Sequence, residues 1–559
     1  MYANKRNILE LISLISVYGI RHIVLCPGSR NAPLSQSFAS NQEFKCYSIT
    51  DERSAGFFAL GLSQSLKVPV AVCCTSGSAL LNLLPAVSEA YYQQLPLLVI
   101  SADRPTEWIG QMDSQTIPQS NMASTIFKKS VHLPEIKDNS QLWYCNRLIN
   151  EALLSLTHNS DGPVHINIPL SEPLFDFSIG ELPTTRKITR TKLESTSYQL
   201  PESLVVEWQN AQRPLVIVGQ QPYSKEINET IRALSYSYNN DCVILGEQIA
   251  NLSPYDNIIC NFDSILYAYP NQEELKPDLV IYFGGHIVSK RLKTFIRNNQ
   301  PENLWLVSPN GEVIDTLQCL TTIIEAQPLD FLNAILKSKI CSGKMSYRSA
   351  WKSYSAQVEE CSGRYRFSDF SDLYVMKQAL SQLPPCNLQL GNSSIVRNAQ
   401  LFDLPEIKEV FCNRGTSGIE GSMSTAVGFA AAKKELTFLY IGDLSFFYDM
   451  NALWNGHISK HLRILVFNNG NGQIFNVLPS LEKSEIRDKF IAAKHNTSVE
   501  AWVKDKGFEY LSVKNKIELE DSLMVFNDIN IDKPLILEVF TDAEISENDY
   551  KAYYKHLKI

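Results

Sequence analysis

The chain has 559 residues, of which 44% are hydrophobic and 20% charged, and its formal net charge is −8. That length exceeds what one hydrophobic core supports and predicts two to four domains, while the acidic balance argues against non-specific nucleic-acid binding. The 12 cysteines include no C-x-x-C pair, a pattern that favours reduced thiols in a cytoplasmic protein over a disulfide framework or a zinc site.

The first 180 residues alternate between helix-like and strand-like segments. Apolar residues at 8, 11, 12 and 15, with Glu10 among them, predict an amphipathic first helix rather than a signal peptide. No apolar run approaches the ~18 residues that span a bilayer, so no transmembrane segment is predicted. Strands are predicted at 22–26, 45–49, 68–74, 95–102 and 164–168. This alternation predicts a parallel sheet covered by helices at residues 1–180.

A second α/β unit is predicted at residues 200–338, between two polar stretches. Residues 172–202 predict a linker, and a further polar stretch at about 338–366 separates the second unit from a third. Strands of this Rossmann-like unit are predicted at 214–219, 241–246, 278–284 and 303–307. Its first turn, Gly219-Gln220-Gln221-Pro222, lacks G-x-G-x-x-G, which argues against a dinucleotide there.

The third unit, residues 366–559, carries the most informative pattern. Its strands are predicted at 387–390, 409–412, 436–441, 463–467 and 534–540. Two of them run into Gly442-Asp443 and Asn468-Asn469, which should lie side by side at the ligand-binding edge of the sheet. A carboxylate, an amide oxygen and backbone carbonyls form an all-oxygen set suited to Mg²⁺, and turn amides can hold phosphate. Such dipeptides also occur in plain turns.

The Gly442-Asp443 and Asn468-Asn469 pairs resemble the diphosphate motif of thiamine-diphosphate enzymes. Glu52, in a segment that reads as the start of a helix after a strand, resembles the glutamate that these enzymes place at N1′ of the aminopyrimidine to promote ylid formation. The alternative for Glu52 is a helix-start acid favoured by the macrodipole. The resemblance implies metal ligands Asp443, Asn469 and the backbone of Asn471, for Mg²⁺ or Mn²⁺. It also implies a homodimer or homotetramer with the cofactor at the subunit interface.

Six motifs narrow the resemblance to one branch. They are residues 26–34, 101–105, 289–292, 392–397, 413–421 and 468–475. Together they resemble the 2-succinyl-5-enolpyruvyl-6-hydroxy-3-cyclohexene-1-carboxylate synthase family of menaquinone biosynthesis. The resemblance implies a transferase that decarboxylates 2-oxoglutarate and adds the succinyl carbanion to isochorismate.

Both implied substrates are dicarboxylic acids, which several cations would have to bind. The resemblance assigns to substrate binding Ser29, Arg30, Arg104, Gln115, Lys290, Arg291, Ser393, Arg397, Arg414 and Phe475. It assigns to cofactor binding Glu52, Ser393, Gly418, Ile419, Gly442, Asp443, Leu444, Ser445, Asn469 and Ile474. The alternatives are solvated surface cations, turn and helix-cap polar groups, and ordinary apolar core.

Two positions depart from the family pattern. Leu444 stands where most thiamine-diphosphate enzymes carry a second glycine. Gly470 and Asn471 occur in the opposite order to the usual one, so Asn471 must supply its carbonyl from a turn that Asn tolerates better than most residues.

Three other functions fit the sequence less well. Acetolactate synthases and other 2-oxoacid decarboxylases of the same class use different pocket residues. A non-catalytic homologue is disfavoured because Glu52, Asp443 and Asn469 are all present. A nicotinamide dehydrogenase is disfavoured because the glycine fingerprint is missing.

Overall fold

Three six-stranded sheets, all with parallel strand pairs, follow one another along the chain. They are seen in a computed structural model that describes residues 1–191, 199–236, 241–253, 258–338, 343–405, 407–476, 481 and 484–558. The predicted α/β class with three open sheets is confirmed. In the described part of the chain, no helix is both long and apolar enough to cross a membrane.

The first sheet has the strand order β2-β1-β3-β4-β6-β5. Its strands are β1 (His22–Leu25), β2 (Lys45–Ser48), β3 (Val70–Cys74), β4 (Leu97–Asp103), β5 (Lys129–His132) and β6 (Val164–Pro169). Its helices are α1 (Arg6–Val17), α2 (Ala32–Ala39), α3 (Glu52–Leu66), α4 (Ser78–Gln93) and α5 (Asn139–Ser155). Strand β5 was not predicted, because Val131 is its only buried residue and an edge strand of this kind lacks an apolar pattern.

The second sheet has the order β12-β11-β10-β7-β8-β9. Its strands are β7 (Pro214–Val218), β8 (Val243–Gly246), β9 (Ile258–Ile259), β10 (Leu279–Phe283), β11 (Asn303–Val307) and β12 (Thr322–Ile324). The helices that follow its strands or flank it are α6 (Glu202–Asn210), α7 (Lys225–Tyr236), α8 (Phe262–Ala268), α9 (Lys290–Asn299), α10 (Pro328–Ser338) and α11 (Met345–Arg364). Strands β9 and β12 are too short to show periodicity and were not predicted.

The two polar stretches differ in structure. Between β6 and α6 the described residues form no helix or regular strand, and residues 192–198 of the predicted linker lie outside the described part. The stretch at 338–366 instead contains α11, a 20-residue helix that buries Tyr347 and Trp351 in a cluster with residues of the second sheet. Hydrophobic residues spaced along one face of a mostly polar helix therefore anchor this segment.

The switch point of the second sheet lies between β7 and β10. The turn that follows β7 and the turn that follows β10 contact each other directly there. The backbone N–H of Gly285 donates to the Gln220 carbonyl at 2.7 Å. A Cβ at Gly219 would lie 2.1 Å from the Gly285 oxygen. The backbones of the two turns thus fill the place where a dinucleotide-binding sheet leaves a crevice.

The third sheet, ordered β14-β13-β15-β16-β18-β17, repeats the strand permutation of the first. Its strands are β13 (Cys386–Leu390), β14 (Ile407–Cys412), β15 (Thr437–Gly442), β16 (Leu462–Asn468), β17 (Glu509–Val513) and β18 (Leu535–Phe540). Its helices are α12 (Asp372–Ser381), α13 (Ser394–Ala399), α14 (Ser422–Ala432), α15 (Asp443–Tyr448), α16 (Glu500–Asp505), α17 (Lys516–Phe526) and α18 (Ala543–His556). Strand β17 is mostly exposed or half-buried, which explains why apolar periodicity missed it.

Helices α3 and α14 join the first and third units. A Cβ at Gly61 would lie 2.0 Å from the Thr425 carbonyl oxygen, and one at Gly428 would lie 2.1 Å from that of Phe58. Glycine at both positions therefore lets the two helix backbones approach closely. Apolar residues of both units form one buried cluster around this crossing. Because Glu52 begins α3, this packing fixes its position relative to the third unit.

Several predicted site residues follow strands at the switch points of the first and third sheets. Ser29 and Arg30 come after β1, which pairs with β2 on one side and β3 on the other. Ser393 comes after β13 and Asp443 after β15, and these two strands are neighbours. In open α/β sheets, ligands bind outside the carboxyl ends of strands at such points.

Candidate active site

Asp443 and the turn after β16 are in direct contact. The Asp443 side chain is buried, and its Oδ2 accepts the Gly470 backbone N–H at 2.7 Å. Gly470 has φ +67°, and a Cβ there would lie 2.5 Å from the His495 carbonyl oxygen, so this turn needs glycine. His495, which the sequence did not suggest, also places Nε2 3.4 Å from Asp443 Oδ2.

The oxygens around this turn suit a hard cation. The Asn469 Oδ1 accepts the Asn471 backbone N–H at 3.1 Å, and the buried Asn471 Oδ1 has no partner among the described residues. Within the same residues, no group of three or more His, Cys, Asp or Glu side chains could hold a metal. A metal here would therefore rest on one carboxylate with amide and backbone oxygens, a set that fits Mg²⁺.

The reversed order of Gly470 and Asn471 is accommodated by the backbone. The left-handed conformation of this turn falls on Gly470, and Asn471 does not have a positive φ. Asn471 therefore needs no unusual conformation, contrary to what the sequence led us to expect of the turn. At the other departure, Leu444 is half-buried and its N–H donates to Asp443 Oδ1 at 2.6 Å.

The surroundings of Asp443 leave space for a ligand. A Cβ at Gly442 would meet no protein atom within 4 Å. The Ser445 hydroxyl donates to the Ile419 carbonyl at 2.5 Å and so ties α15 to the 413–421 segment. Ile419, Ile474 and Phe475 are half-buried and belong to none of the packed apolar clusters of the described residues. That placement favours a pocket wall over ordinary core for these three side chains.

Glu52 is the first residue of α3, but it does not cap the helix. Asp51 is the cap, because its side chain accepts the N–H groups of Arg53 and Ser54. Asp51 also accepts a bond from Asn451 Nδ2 at 2.8 Å, which holds the helix start against the third unit. Among the described residues, no side-chain hydrogen bond or ion pair involves the half-buried Glu52 carboxylate.

Arg30 and Arg104 form one cationic set, in the first unit. Burial, and then the neighbouring Arg104, lowers the pKa of Arg30. Arg30 is held by the Leu170 carbonyl at 2.8 Å and by Glu172 at 3.3 Å. Ser29 and Gln115 are exposed, and the Gln115 backbone, with φ +56°, lies against Gly77 at the start of α4.

Arg397 and Arg414 form a second set, in the third unit. Burial, and then the neighbouring Arg414, lowers the pKa of Arg397. Arg414 Nη1 donates to Asn392 Oδ1 at 2.9 Å, while its buried Nε has no partner among the described residues. Arg397 Nη1 donates to the Ser393 carbonyl at 2.5 Å, and Ser393 itself has φ +70°, which is uncommon for a non-glycine residue.

The two predicted cations of α9 have different surroundings. Lys290 is exposed. Arg291 forms an ion pair with Asp263 and lies over the rings of Tyr267 and Tyr554. Lys293, which was not predicted, lies one turn further along the same helix and is half-buried. Burial lowers its pKa, the charge of Glu247 opposes this, and the charges of Arg414 and Arg397 lower the pKa further, so Lys293 lies near the second set.

Two buried side chains that carry no sequence signal hold the binding segments. Glu89 of α4 accepts the backbone N–H groups of Gly415 and Thr416, each at 2.7 Å, and so fixes the segment that carries Arg414. Gln119 accepts the Gly77 N–H at 2.7 Å and donates to Asn167 at 2.8 Å, beside the Gln115 segment. A lone buried Glu or Gln in a helix or loop looks the same in sequence as an exposed one.

Within a single chain, the predicted site residues lie in separate groups. In the described part of the chain, no hydrogen bond or ion pair joins Glu52 to Asp443 or Asn469. None joins the Arg30 set to the Arg397 set either. Ile474 and Arg397 both line a small cavity of about 20 Å³, together with Asp372 and Tyr550.

Comparisons with known proteins point to one family. The family described as thiamine pyrophosphate enzyme, N-terminal TPP binding domain, matches residues 10–124, and the middle domain of thiamine pyrophosphate enzymes matches 184–390. The chain is 46% identical to the 2-succinyl-5-enolpyruvyl-6-hydroxy-3-cyclohexene-1-carboxylate synthase of Bacteroides thetaiotaomicron and 47% identical to that of Bacteroides fragilis, over 100% of both chains in each case. It is 37% identical to the synthase of Flavobacterium johnsoniae over 98% of both chains. The resemblance found in the sequence is thereby confirmed.

Proposed function

Because the chain belongs to the 2-succinyl-5-enolpyruvyl-6-hydroxy-3-cyclohexene-1-carboxylate synthase family, we propose that it catalyses the reaction of that family in menaquinone biosynthesis. It decarboxylates 2-oxoglutarate, adds the succinyl carbanion to isochorismate and releases CO₂, with thiamine diphosphate as cofactor. The structural observation that carries this proposal is the contact between Asp443 and the Gly470 turn beside Asn469. This contact gathers the oxygen ligands that a diphosphate-bound metal needs.

The metal and the diphosphate would be held by the third unit. Asp443, Asn469 and the backbone carbonyl of Asn471 would bind Mg²⁺, or Mn²⁺ in its place, since they offer only oxygen atoms. The open space at Gly442 supports a close approach of the diphosphate to the backbone. When bound, thiamine diphosphate supplies the electron sink for decarboxylation. Glu52 would exchange a proton with its aminopyrimidine ring.

Each cationic set would bind a different substrate. We assign Ser29, Arg30 and Lys290 to isochorismate, and Ser393 and Arg397 to the carboxylate of the succinyl group. The unpartnered Nε of Arg414 supports a further carboxylate contact there, because a buried guanidinium N–H without a partner is unfavourable. The proposed substrate-binding residues also include Arg104, Gln115, Arg291 and Phe475.

We propose that the active site forms between two copies of the chain, in a homodimer or homotetramer of the cytoplasm. The separation of the polar groups within one chain supports this assembly, because Glu52 has no polar partner among the described residues. A second copy could bring its Glu52 and Arg30 set to the metal turn of the first. The net charge of −8 agrees with small-molecule substrates and with no nucleic-acid partner.

Product identification tests the function directly. Purified protein is supplied with 2-oxoglutarate, isochorismate, Mg²⁺ and thiamine diphosphate, and the product is identified by mass spectrometry. We expect one molecule of the succinylated cyclohexene product for each CO₂ released. Pyruvate in place of 2-oxoglutarate is the control. Formation of acetolactate from pyruvate, without turnover of 2-oxoglutarate, would assign the chain to the acetolactate synthases instead.

Arg30→Ala and Arg397→Ala should separate the two substrates. Losing a charge-assisted hydrogen bond in a desolvated pocket costs about 1.5–3 kcal/mol, or roughly ten- to a hundred-fold. We expect Arg30→Ala to weaken use of isochorismate and to leave the single-turnover burst of CO₂ from 2-oxoglutarate intact. Arg397→Ala should slow that burst as well.

The burst is measured by rapid mixing, with and without isochorismate. Arg364→Ala is a matched control, because Arg364 is exposed and pairs only with the exposed Glu360 in the described structure. An equal loss of the burst in Arg30→Ala and Arg397→Ala would show that the two cationic sets do not bind different substrates.

A further inference from the structure

Asp372, at the start of α12, forms a buried junction behind the metal turn. Its side chain is almost fully buried, and its Oδ2 accepts Asn469 Nδ2 at 2.9 Å. Its Oδ1 accepts the Thr541 hydroxyl at 2.5 Å, and its backbone N–H donates to Ser546 Oγ at 3.0 Å. Two segments of the third unit therefore hold this carboxylate, and a third holds the backbone of Asp372.

The junction determines which end of the Asn469 amide faces the metal turn. An amide presents an accepting oxygen at one end and a donating NH₂ at the other, whereas an ionised carboxylate can only accept. The end of Asn469 that faces Asp372 must therefore be the NH₂. The Oδ1 then points to the opposite side, where the Asn471 N–H lies at 3.1 Å and the Asp443 turn is close by.

We propose that Asp372 is a positioning residue that orients the Asn469 amide oxygen toward the bound metal. It acts on the metal through Asn469 and is not itself one of the proposed metal ligands. The inference rests on the proposed function, which makes Asn469 a metal ligand. Groups that orient metal ligands typically change metal affinity about 10–100-fold when they are removed, and that range sets the expected effect here.

Binding measurements on the full chain test this role without relying on activity. Thiamine-diphosphate affinity is measured by calorimetry at several Mg²⁺ concentrations. We expect Asp372→Ala to weaken Mg²⁺-dependent cofactor binding about 10–100-fold. Asp372→Asn should lose less, because its amide oxygen can still accept from Asn469. Asp369→Ala is the matched control, since Asp369 is an exposed acid of the same segment that bonds only to Ser368 in the described structure.

A swapped pair tests the contact between the side chains at 372 and 469. In Asn469→Asp alone, two carboxylates face each other, and binding should be weak. In the double variant Asp372→Asn with Asn469→Asp, the new amide can donate to the new carboxylate, which presents oxygen to the metal in either orientation. We expect the double variant to bind the cofactor at least tenfold more tightly than Asn469→Asp alone.

Each outcome has a distinct meaning. If Asn469→Ala leaves Mg²⁺-dependent binding unchanged, the metal site in the proposed function is wrong. If Asn469→Ala weakens binding but a folded Asp372→Ala does not, the positioning role is overturned. If Asp372→Ala fails to fold, the double variant decides, and no gain over Asn469→Asp alone would overturn the role of Asp372.

Discussion

Asp443→Ala is expected to abolish retention of thiamine diphosphate. Asp443 is the only carboxylate in the proposed ligand set, and losing it leaves the charge of the diphosphate poorly neutralised. The substitution also removes the acceptor of the Gly470 N–H, which holds the two turns together. Calorimetric titration of the apoprotein with cofactor at saturating Mg²⁺ should show no measurable binding.

The control for this variant is Asp532→Ala. Asp532 is an exposed acid of the same unit, and its only partner among the described residues is Lys460. We expect its cofactor affinity and melting temperature to equal those of the wild type. Asp443→Asn keeps the shape of the side chain but removes its charge, so it should bind far more weakly than wild type. Unchanged affinity in Asp443→Ala would remove Asp443 from the site.

Glu52→Gln is expected to leave cofactor binding nearly intact and to slow activation of the cofactor. The amide cannot play the part of the acid at N1′, and general acid–base groups typically contribute about 10²–10⁴-fold. Proton–deuterium exchange at C2 of the bound cofactor measures this step directly. Because Asp51 caps α3, the variant should also keep the stability of the wild type.

Glu202→Gln provides the matched control. Glu202 is an exposed acid in the first turn of α6 and therefore has the same relation to a helix dipole. We expect its exchange rate to be that of the wild type. A wild-type exchange rate in Glu52→Gln would show that Glu52 does not activate the cofactor and is only an acidic residue at the start of a helix.

The sequence by itself determined the α/β class, most of the buried strands and the family. Buried strands such as β3 and β10 are continuous apolar runs, a local pattern that can be recognised without knowing which strands lie beside them. The same reasoning failed for β5 and β17, because edge strands with few buried residues have no such pattern. Apolar periodicity reflects burial, so it does not predict a strand that buries few residues.

Only the tertiary structure decided how the site residues are supported. Asp372 and Asn469 are 97 residues apart, and Glu89 and Gly415 are 326 apart, so no local pattern could pair them. The motif pointed to Lys290, yet the helix leaves Lys290 exposed and places Lys293 half-buried near Arg414. A motif specifies residue type at the end of a strand, whereas hydrogen bonds between distant segments specify where each side chain points. These bonds form only when the sheets and helices have packed.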